Sequence, residues 1–389
     1  MNDVYEQDVR ALVADKRIPW DAFDGKCVMV TGATGLVGGL CARAVAERMG
    51  LRNAAATGGS AFGGRLILPV RDVERARAQL ADIPLAEFVP WDATQSRGNG
   101  DVADCYPSTR ESRDRDNGDG GVCHPSTESL LPDCDRIIHC ACPTASAFMV
   151  EHPVDTIDAI VQGTRSMLEL ARRTGARLCF VSSMEVYGAG AEGPLDESCG
   201  GILDAMNVRS SYPQAKQLAE TLCASFASQH GVQVCVARLA QTFGPGILAT
   251  DRRVFAEFAR CCRAGRNIKL LTDGSKRNMY VYTADAVRAL LVLVARGKAG
   301  VAYNVANEAT FCSVYEMAHM VAERFGRSTQ VERTLDAQAA ARYAVSGSIY
   351  MDTTRMRDLG WSADVDLAQM YERMLADWDA TERRGEQQW

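Results

Sequence analysis

Short apolar runs alternate with amphipathic stretches along the first 240 residues of the chain. The apolar runs are three to seven residues long and predict strands, whereas the longer stretches have helical spacing. Strands that are apolar throughout, each followed by a helix, indicate a parallel sheet that helices cover on both faces. The predicted strands are residues 27–31, 66–70, 87–89, 136–141, 177–181 and 232–238, and the predicted helices are 5–16, 36–49, 72–80, 154–173 and 211–229.

The pattern is less regular after Gly244, where helices are predicted at 253–263, 284–296 and 313–325, and strands near Ile268 and Tyr303. We therefore predict an α/β doubly wound sheet domain over residues 1–240. Residues 241–389 are expected to form mainly a smaller lobe, with some return to the sheet. Residues 53–64 and a polar stretch at about 94–128 interrupt the alternation and are interpreted as insertions.

Composition narrows the possible partners and the compartment. A net charge of −6 gives no overall attraction to nucleic acid or to an anionic membrane. The 14 cysteines are scattered, without zinc-ligand spacing, so we predict no metal site and free thiols in a reducing compartment. No apolar run reaches the length of a membrane span, and residues 1–10 do not resemble a signal peptide. The expectation is a soluble, cytoplasmic protein.

A glycine-rich turn, TGATGLVG at residues 31–38, joins the first predicted strand to the first helix. Glycines permit a tight turn and close approach of the backbone to a pyrophosphate, and the helix N-terminus presents N–H groups to it. This position in the fold favours a dinucleotide-binding turn over a purely structural one. The predicted cofactor contacts here are Gly32, Thr34, Gly35, Leu36, Val37 and Gly38.

Three further residues are assigned to the cofactor from the ends of later strands. Arg71 follows the second strand, where it is placed either to pair with the 2′-phosphate of NADP or only to stack on adenine, which leaves NAD acceptable. Asp92 follows the third strand and either accepts a hydrogen bond from the adenine amine or merely begins a loop. Ala141 ends the fourth strand. The prediction is NAD, with NADP possible because of Arg71.

A serine and a Tyr-Lys pair suggest the chemistry. Ser183 follows the end of the strand at 177–181. Tyr212 and Lys216 lie four residues apart on the helix at 211–229. Residues at this spacing share a helix face, so the Lys216 ammonium is expected beside the Tyr212 phenol. A neighbouring positive charge lowers a phenol pKa, and we therefore expect Tyr212 to be a general base with a pKa near neutrality.

The motifs TGATGLVG, SSMEVYG and YPQAK together resemble those of the extended short-chain dehydrogenase/reductases, the NAD-dependent epimerase/dehydratase family. Gly163-Thr164 and Asp273-Gly274 with Arg277 and Asp285 extend the resemblance across most of the chain. The segment 238–246 resembles the family's loop beside the nicotinamide. The resemblance implies a Rossmann-type fold, a nucleotide-diphosphate sugar as substrate and a homodimer.

Within the family the chain is most similar to the UDP-glucuronate decarboxylases, through Arg209 and residues 251–254. It departs from that branch at Ser183, where a threonine is usual. Dehydratases that use an Asp-Glu pair carry aspartate where this chain has Met184, which cannot protonate a leaving hydroxyl. Glu185 remains as a candidate base, and a 4-epimerase, which needs only the serine, tyrosine and lysine, stays possible.

The resulting hypothesis is transient oxidation at sugar C4, in which Tyr212 takes the hydroxyl proton and Ser183 orients the oxygen. Lys216 holds the cofactor ribose. The resemblance assigns three arginines to the substrate's pyrophosphate or carboxylate: Arg209, Arg253 and Arg277. A ketone reductase with net redox and a non-catalytic cofactor sensor are the competing functions. His139 is interpreted as a buried structural residue.

Overall fold

The computed structural model describes residues 3–50, 64–94, 131–188, 193–336 and 348–383. Nearly all of both predicted insertions, residues 53–63 and 95–128, lies outside these ranges. The described ranges contain a large parallel sheet covered by helices and three small sheets beside it.

Seven strands form the large sheet in the order β11-β7-β5-β4-β1-β2-β3, and every neighbouring pair is parallel. This confirms the predicted α/β doubly wound class. The chain order reverses between β1 and β4, and ligands of such sheets bind outside the carboxyl ends of the strands at this point. The strands are β1 (Cys27–Thr31), β2 (Arg65–Val70), β3 (Glu87–Pro90), β4 (Arg136–His139), β5 (Arg177–Ser183), β7 (Val234–Leu239) and β11 (Ala302–Val305).

Alternate side chains of these strands enter two separate cores, as the twofold period of a strand requires. Val28 and Val30 lie in one core and Met29 in the other. The first core is covered by α1, α2 and α8, and the second by α5 and α6. The helices from the first half of the chain are α1 (Asp3–Ala14), α2 (Leu36–Arg48), α3 (Val73–Gln79), α4 (Ser146–Glu151), α5 (Pro153–Thr174) and α6 (Ser211–His230); α8 spans Thr283–Arg296.

The C-terminal part contributes strands to three small sheets, one of which also contains β6 from the first 240 residues. The chain passes from β7 into the sheet β12-β10-β8 through Ala240 alone, and from β11 back into it through Ala306 alone. The remaining elements are β6 (Pro194–Leu195), β8 (Gln241–Phe243), α7 (Val254–Arg263), β9 (Ile268–Leu270), β10 (Arg277–Tyr282), β12 (Asn307–Ser313), α9 (Val314–Phe325), β13 (Val331–Arg333), β14 (Tyr350–Met351), α10 (Thr354–Asp358) and α11 (Leu367–Arg383).

The N-terminal helix α1 is tied to the C-terminal part by buried polar contacts. The Tyr282 hydroxyl donates to Asp8 Oδ2 at 2.5 Å, and Arg373 of α11 donates to Asp8 Oδ1 at 2.7 Å. Arg288 of α8 pairs with Asp15, just after α1, at 2.6 Å and with Asp285 at 2.8 Å. Helix α1 is therefore an integral part of the fold.

Candidate active site

The glycine-rich turn connects β1 to α2 at the switch point of the sheet. Gly32 has φ +69°, and a Cβ there would lie 2.9 Å from the backbone nitrogen of Ala141, which follows β4. A Cβ on Gly38 would lie 2.3 Å from the Gly32 carbonyl oxygen. Only glycine fits at either position, so the turn packs tightly between two strands and the first turn of α2.

Helix α2 begins with N–H groups that no side chain caps, because its N-cap residue is Gly35. The Gly35 carbonyl accepts the N–H of Gly39 at 2.8 Å, which starts the helix directly after the turn. The positive end of the helix dipole and these N–H groups fit the phosphates of a dinucleotide. Every residue predicted to contact the cofactor pyrophosphate lies in this segment.

The other predicted cofactor residues surround the same edge of the sheet. Arg71 is exposed directly after β2. The Asp92 carboxylate accepts the backbone N–H and the hydroxyl of Thr94 at 2.9 and 2.8 Å, which is the loop-starting arrangement. The Ala141 N–H donates to the Thr31 hydroxyl at 3.1 Å and so joins β4 to the glycine turn. Their roles toward a cofactor stay predictions.

Tyr212 and Ser183 meet at the carboxyl end of β5. Ser183 is the last residue of β5 and Tyr212 lies in the first turn of α6, and the Ser183 hydroxyl lies close enough to the Tyr212 phenol to lower its pKa. The Tyr212 side chain is 9% exposed and belongs to the core on the α5–α6 face of the sheet. Two neighbouring hydroxyls at the end of a strand are suited to contact one substrate oxygen and to move its proton.

Lys216 lies beneath Tyr212, with its Nζ 5.8 Å from the Tyr212 ring centroid. It donates to the Val181 carbonyl at 2.7 Å and lies 4.7 Å from the Phe180 ring centroid. Burial raises the pKa of the Tyr212 phenol, and the nearby Cys142 and Glu185 raise it further, against lowering by Ser183 and Arg253. The expectation that Lys216 brings this pKa near neutrality is therefore wrong for the protein chain itself, because the cost of burying a phenolate is larger.

Glu185 follows Ser183 by two residues, and its N–H donates to the Ser183 hydroxyl at 3.2 Å. Its side chain lies deep among protein atoms but is open to solvent, as expected for a group that lines a cleft. Burial raises the pKa of the Glu185 carboxyl, against lowering by Lys276 and then Arg209. Its charge acts on Tyr212 in turn. The Glu185 carboxyl therefore lies near Tyr212, and two cations lie near that carboxyl.

Lys276 is the residue of this cluster that the sequence analysis missed. It directly precedes β10, where successive side chains point to opposite faces. Arg277 accordingly turns away from Glu185: it pairs with Glu316 at 3.1 Å and lies 4.8 Å above the Phe311 ring. Burial lowers the pKa of the Lys276 ammonium. The adjacent Lys276 and Arg277 indicate from the sequence that a cation lies at this point. The sequence does not show which of the two side chains faces the cleft.

Arg253 and His139 also lie close to the site. Arg253 pairs with Asp251 at 2.7 Å, and its charge reaches Tyr212. His139 is 1% exposed, and its Nδ1 is hydrogen-bonded to the Thr31 hydroxyl at 2.7 Å, whereas Nε2 has no protein partner among the described residues. Burial, with Lys216 nearby, lowers the pKa of His139 to about 3, so the ring is neutral.

A glycine turn at the switch point and a Ser-Tyr-Lys set at the next strand ends define a dinucleotide-dependent α/β enzyme class. The model of the NAD dependent epimerase/dehydratase family matches residues 107–306, about half of the chain. The chain belongs to this family, which confirms the resemblance found in its motifs. The matched segment begins after the glycine turn, which the structure adds.

Curated relatives extend the comparison. UDP-glucuronic acid decarboxylase 5 of Arabidopsis thaliana is 33% identical over 241 residues, which cover 62% of this chain and 69% of the relative. UDP-glucuronic acid decarboxylase 3 of the same plant is 36% identical over 205 residues, which cover 53% of this chain and 59% of the relative. The chain thus matches only part of the length of these relatives.

Solved structures share the fold over nearly the whole chain. An epimerase of Methanothermobacter thermautotrophicus has a TM-score of 0.69 at 21% identity, covering 98% of this chain and 97% of its own. A dTDP-glucose 4,6-dehydratase of Streptomyces venezuelae, solved with NAD, has a TM-score of 0.67 at 20% identity, covering 92% and 98%. These likenesses confirm the fold. Within the described residues, no helix has the length and apolarity to cross a membrane.

Proposed function

We propose that the chain is an NAD-dependent enzyme that transiently oxidises a nucleotide-activated sugar at C4. The observation that carries the proposal is the placement of Ser183 and Lys216 beside the Tyr212 phenol, at the sheet edge that begins with the glycine turn. Residues 32–38 would hold the cofactor phosphates, and Lys216 its ribose. A bound oxidised nicotinamide carries a positive charge and accepts hydride from carbon.

The chain's own residues supply the proton transfer and the orientation of the sugar. Tyr212 removes the proton of the 4-hydroxyl while Ser183 hydrogen-bonds the same oxygen. Burial raises the pKa of the Tyr212 phenol, so the phenol loses its proton only when a positive charge, such as that of the oxidised nicotinamide, lies beside it. This arrangement ties proton removal to the bound state of the enzyme.

The proposed substrate is a nucleotide-diphosphate hexuronate, which loses its carboxylate as carbon dioxide after oxidation at C4. Two cations, Lys276 and Arg209, act on a single carboxyl, Glu185, so positive charge exceeds negative charge around Glu185. Such a surplus favours a sugar with an anionic group at C5. Relatives are named UDP-glucuronic acid decarboxylases, which supports this choice.

A nucleotide-sugar 4-epimerase is the second candidate, because Ser183, Tyr212 and Lys216 suffice for it. Dehydration by an Asp-Glu pair is not favoured, since Met184 packs into the core at 5% exposure. The net-redox reductase and the cofactor sensor are not favoured by the relatives either. The use of NADP through Arg71, substrate contacts by Arg253 and Arg277, the homodimer, a cytoplasmic location and the division at residue 240 remain predictions.

The first experiment changes Tyr212 to Phe and measures both cofactor binding and turnover. We expect the loss of one hydroxyl to lower kcat by about a hundredfold to ten-thousandfold, the range of a general acid–base group, with NAD⁺ still bound. Tyr303→Phe on the distant edge strand β11 is the matched control and should leave kcat unchanged. Full activity of Tyr212→Phe rules out the assignment.

In the second experiment the protein is given UDP-glucuronate, UDP-glucose and their dTDP, GDP and CDP counterparts. The products are separated by chromatography and their masses are measured. Loss of carbon dioxide from the hexuronate supports the decarboxylase, whereas isomerisation without a mass change supports the epimerase. Lys276→Met should raise KM for UDP-glucuronate more than for UDP-glucose, because only the former carries the carboxylate. An equal effect on both sugars contradicts the role given to the Lys276 charge.

A further inference from the structure

Helix α1 precedes the first strand of the sheet, and its residue Tyr5 touches two segments of the cofactor site at once. The Tyr5 side chain is 9% exposed. Its hydroxyl lies 3.8 Å from where a Cβ of Gly39 would be, on the helix that follows the glycine turn. Its ring edge lies 3.2 Å from where a Cβ of Gly246 would be, in the loop after β8.

The same small space contains the first residue of α2. A Cβ on Gly246 would also lie 3.3 Å from Leu36 Cδ1, and Gly246 has φ +92°, which suits glycine. Tyr5, Leu36 and Gly246 therefore meet at one junction. Leu36 begins the helix expected at the cofactor phosphates, and Gly246 lies in the loop expected at the nicotinamide.

Tyr5 is held from the side of α2 by an arginine network. Arg43 donates to the Tyr5 hydroxyl at 3.4 Å, and its guanidinium carbon lies 5.3 Å from the ring centroid. Asp82 accepts two hydrogen bonds from Arg43, at 2.9 and 3.0 Å. The ring is thus fixed against α2.

The loop is held from the other side by the C-terminal helix α11. The Gly246 N–H donates to Asp377 at 2.9 Å, and the Trp378 indole donates to the Ile247 carbonyl at 2.6 Å. Arg373 of α11 is bound to Asp8 of α1, so α1 and α11 form one support. The loop is clamped between them.

We infer that Tyr5 is a positioning residue that sets the spacing between the phosphate-binding turn and the loop at residues 244–247. This inference rests on the proposed function, since it assigns one segment to the pyrophosphate and the other to the nicotinamide of one dinucleotide. Tyr5 acts through Leu36 and Gly246 and touches no reacting atom. A ligand that bridges both segments depends on the spacing, whereas a ligand that needs only the turn does not.

The test compares NAD⁺ with ADP-ribose, which lacks the nicotinamide, by calorimetric titration of the full chain. For Tyr5→Ala we expect NAD⁺ affinity to fall by roughly tenfold to a hundredfold, comparable to the loss of one hydrogen bond to a charged group, and ADP-ribose affinity to fall much less. Tyr5→Phe keeps the ring at the junction and should retain the wild-type ratio of the two affinities. If Tyr5→Ala does not fold, the ratio of the two affinities can still be measured with Tyr5→Phe.

Leu12→Ala is the matched control, because Leu12 is 1% exposed on the same helix but distant from the junction. It should lower the thermal unfolding temperature without changing the ratio of NAD⁺ to ADP-ribose affinity. A Tyr5→Ala protein that lowers both affinities equally, or that behaves as Leu12→Ala does, overturns the inference. Failure of the wild-type protein to bind NAD⁺ overturns the proposed function instead.

Discussion

Replacing Gly38 by alanine tests whether the glycine turn is the seat of the cofactor. The added methyl carbon would lie 2.3 Å from the Gly32 carbonyl oxygen and 2.7 Å from the Gly32 carbonyl carbon. An ordinary contact between such atoms needs about 3.5 Å. Both groups are backbone, so no side chain can turn aside, and the turn and the start of α2 must separate by about 1 Å.

Two effects of this substitution oppose each other. Alanine in a helix is more favourable than glycine by about 1 kcal/mol. Overpacking costs about 1–3 kcal/mol, and we take the upper part of that range because backbone must move. The substitution should therefore destabilise the fold by about 1–2 kcal/mol net. If the displaced segment supplies the N–H groups for the phosphates, NAD⁺ affinity should fall by roughly tenfold to a hundredfold, the loss of one hydrogen bond to a charged group.

The assay pairs a calorimetric NAD⁺ titration with urea unfolding of the same protein. Gly200→Ala is the control, because nothing lies within 4 Å of a Cβ there; it should leave both measurements unchanged. If Gly38→Ala binds NAD⁺ as tightly as the wild type, the phosphates do not sit on this turn, and the steric reasoning fails with it.

Three further predictions concern a pH dependence and two buried polar contacts. The pKa of Glu185 is raised, so an activity that needs its carboxylate should rise with pH through a value above the ordinary one for glutamate, and Glu185→Gln should remove this rise from the pH profile of kcat; an unchanged profile excludes Glu185 as the group. Arg288→Met should cost about 3–5 kcal/mol in urea unfolding, because it leaves the buried Asp285 without its paired cation at 2.8 Å. Tyr187→Phe should cost about 1–3 kcal/mol, because the Tyr187 hydroxyl donates to Asn304 Oδ1 at 2.6 Å inside the protein; a smaller loss in either variant means that water replaces the missing partner.

The sheet and the position of its glycine turn could be predicted from the sequence, because both follow from local patterns. Strands with a short apolar run and helices with a 3.6-residue period are visible without any tertiary contact. Tyr212 and Lys216 could be placed on one face of a helix for the same reason. The structure places the Lys216 Nζ 5.8 Å from the Tyr212 ring centroid, as the spacing implied.

The features that escaped the sequence analysis depend on contacts between distant segments. The raised pKa of Tyr212 follows from its burial among α5, α6 and the sheet, which no local pattern reports. Lys276 and Arg277 are equivalent cations in the sequence, and only the strand that follows decides which of them faces Glu185. Tyr5 was correctly expected on a helix, but its contact with Gly246, 241 positions later, exists only in the folded chain.

Ala240 and Ala306 are the only links by which β7 and β11 continue into the small sheet, and the Ala240 N–H donates to the Val305 carbonyl at 2.9 Å. Each connection is a single buried residue, and the two lie side by side, so neither is long enough to act as a hinge. A protease should accordingly find no site at either of these two steps, and a C-terminal segment transplanted from a relative should fit only if both alanine steps are kept. Change of substrate within this architecture then falls to side chains and surface loops.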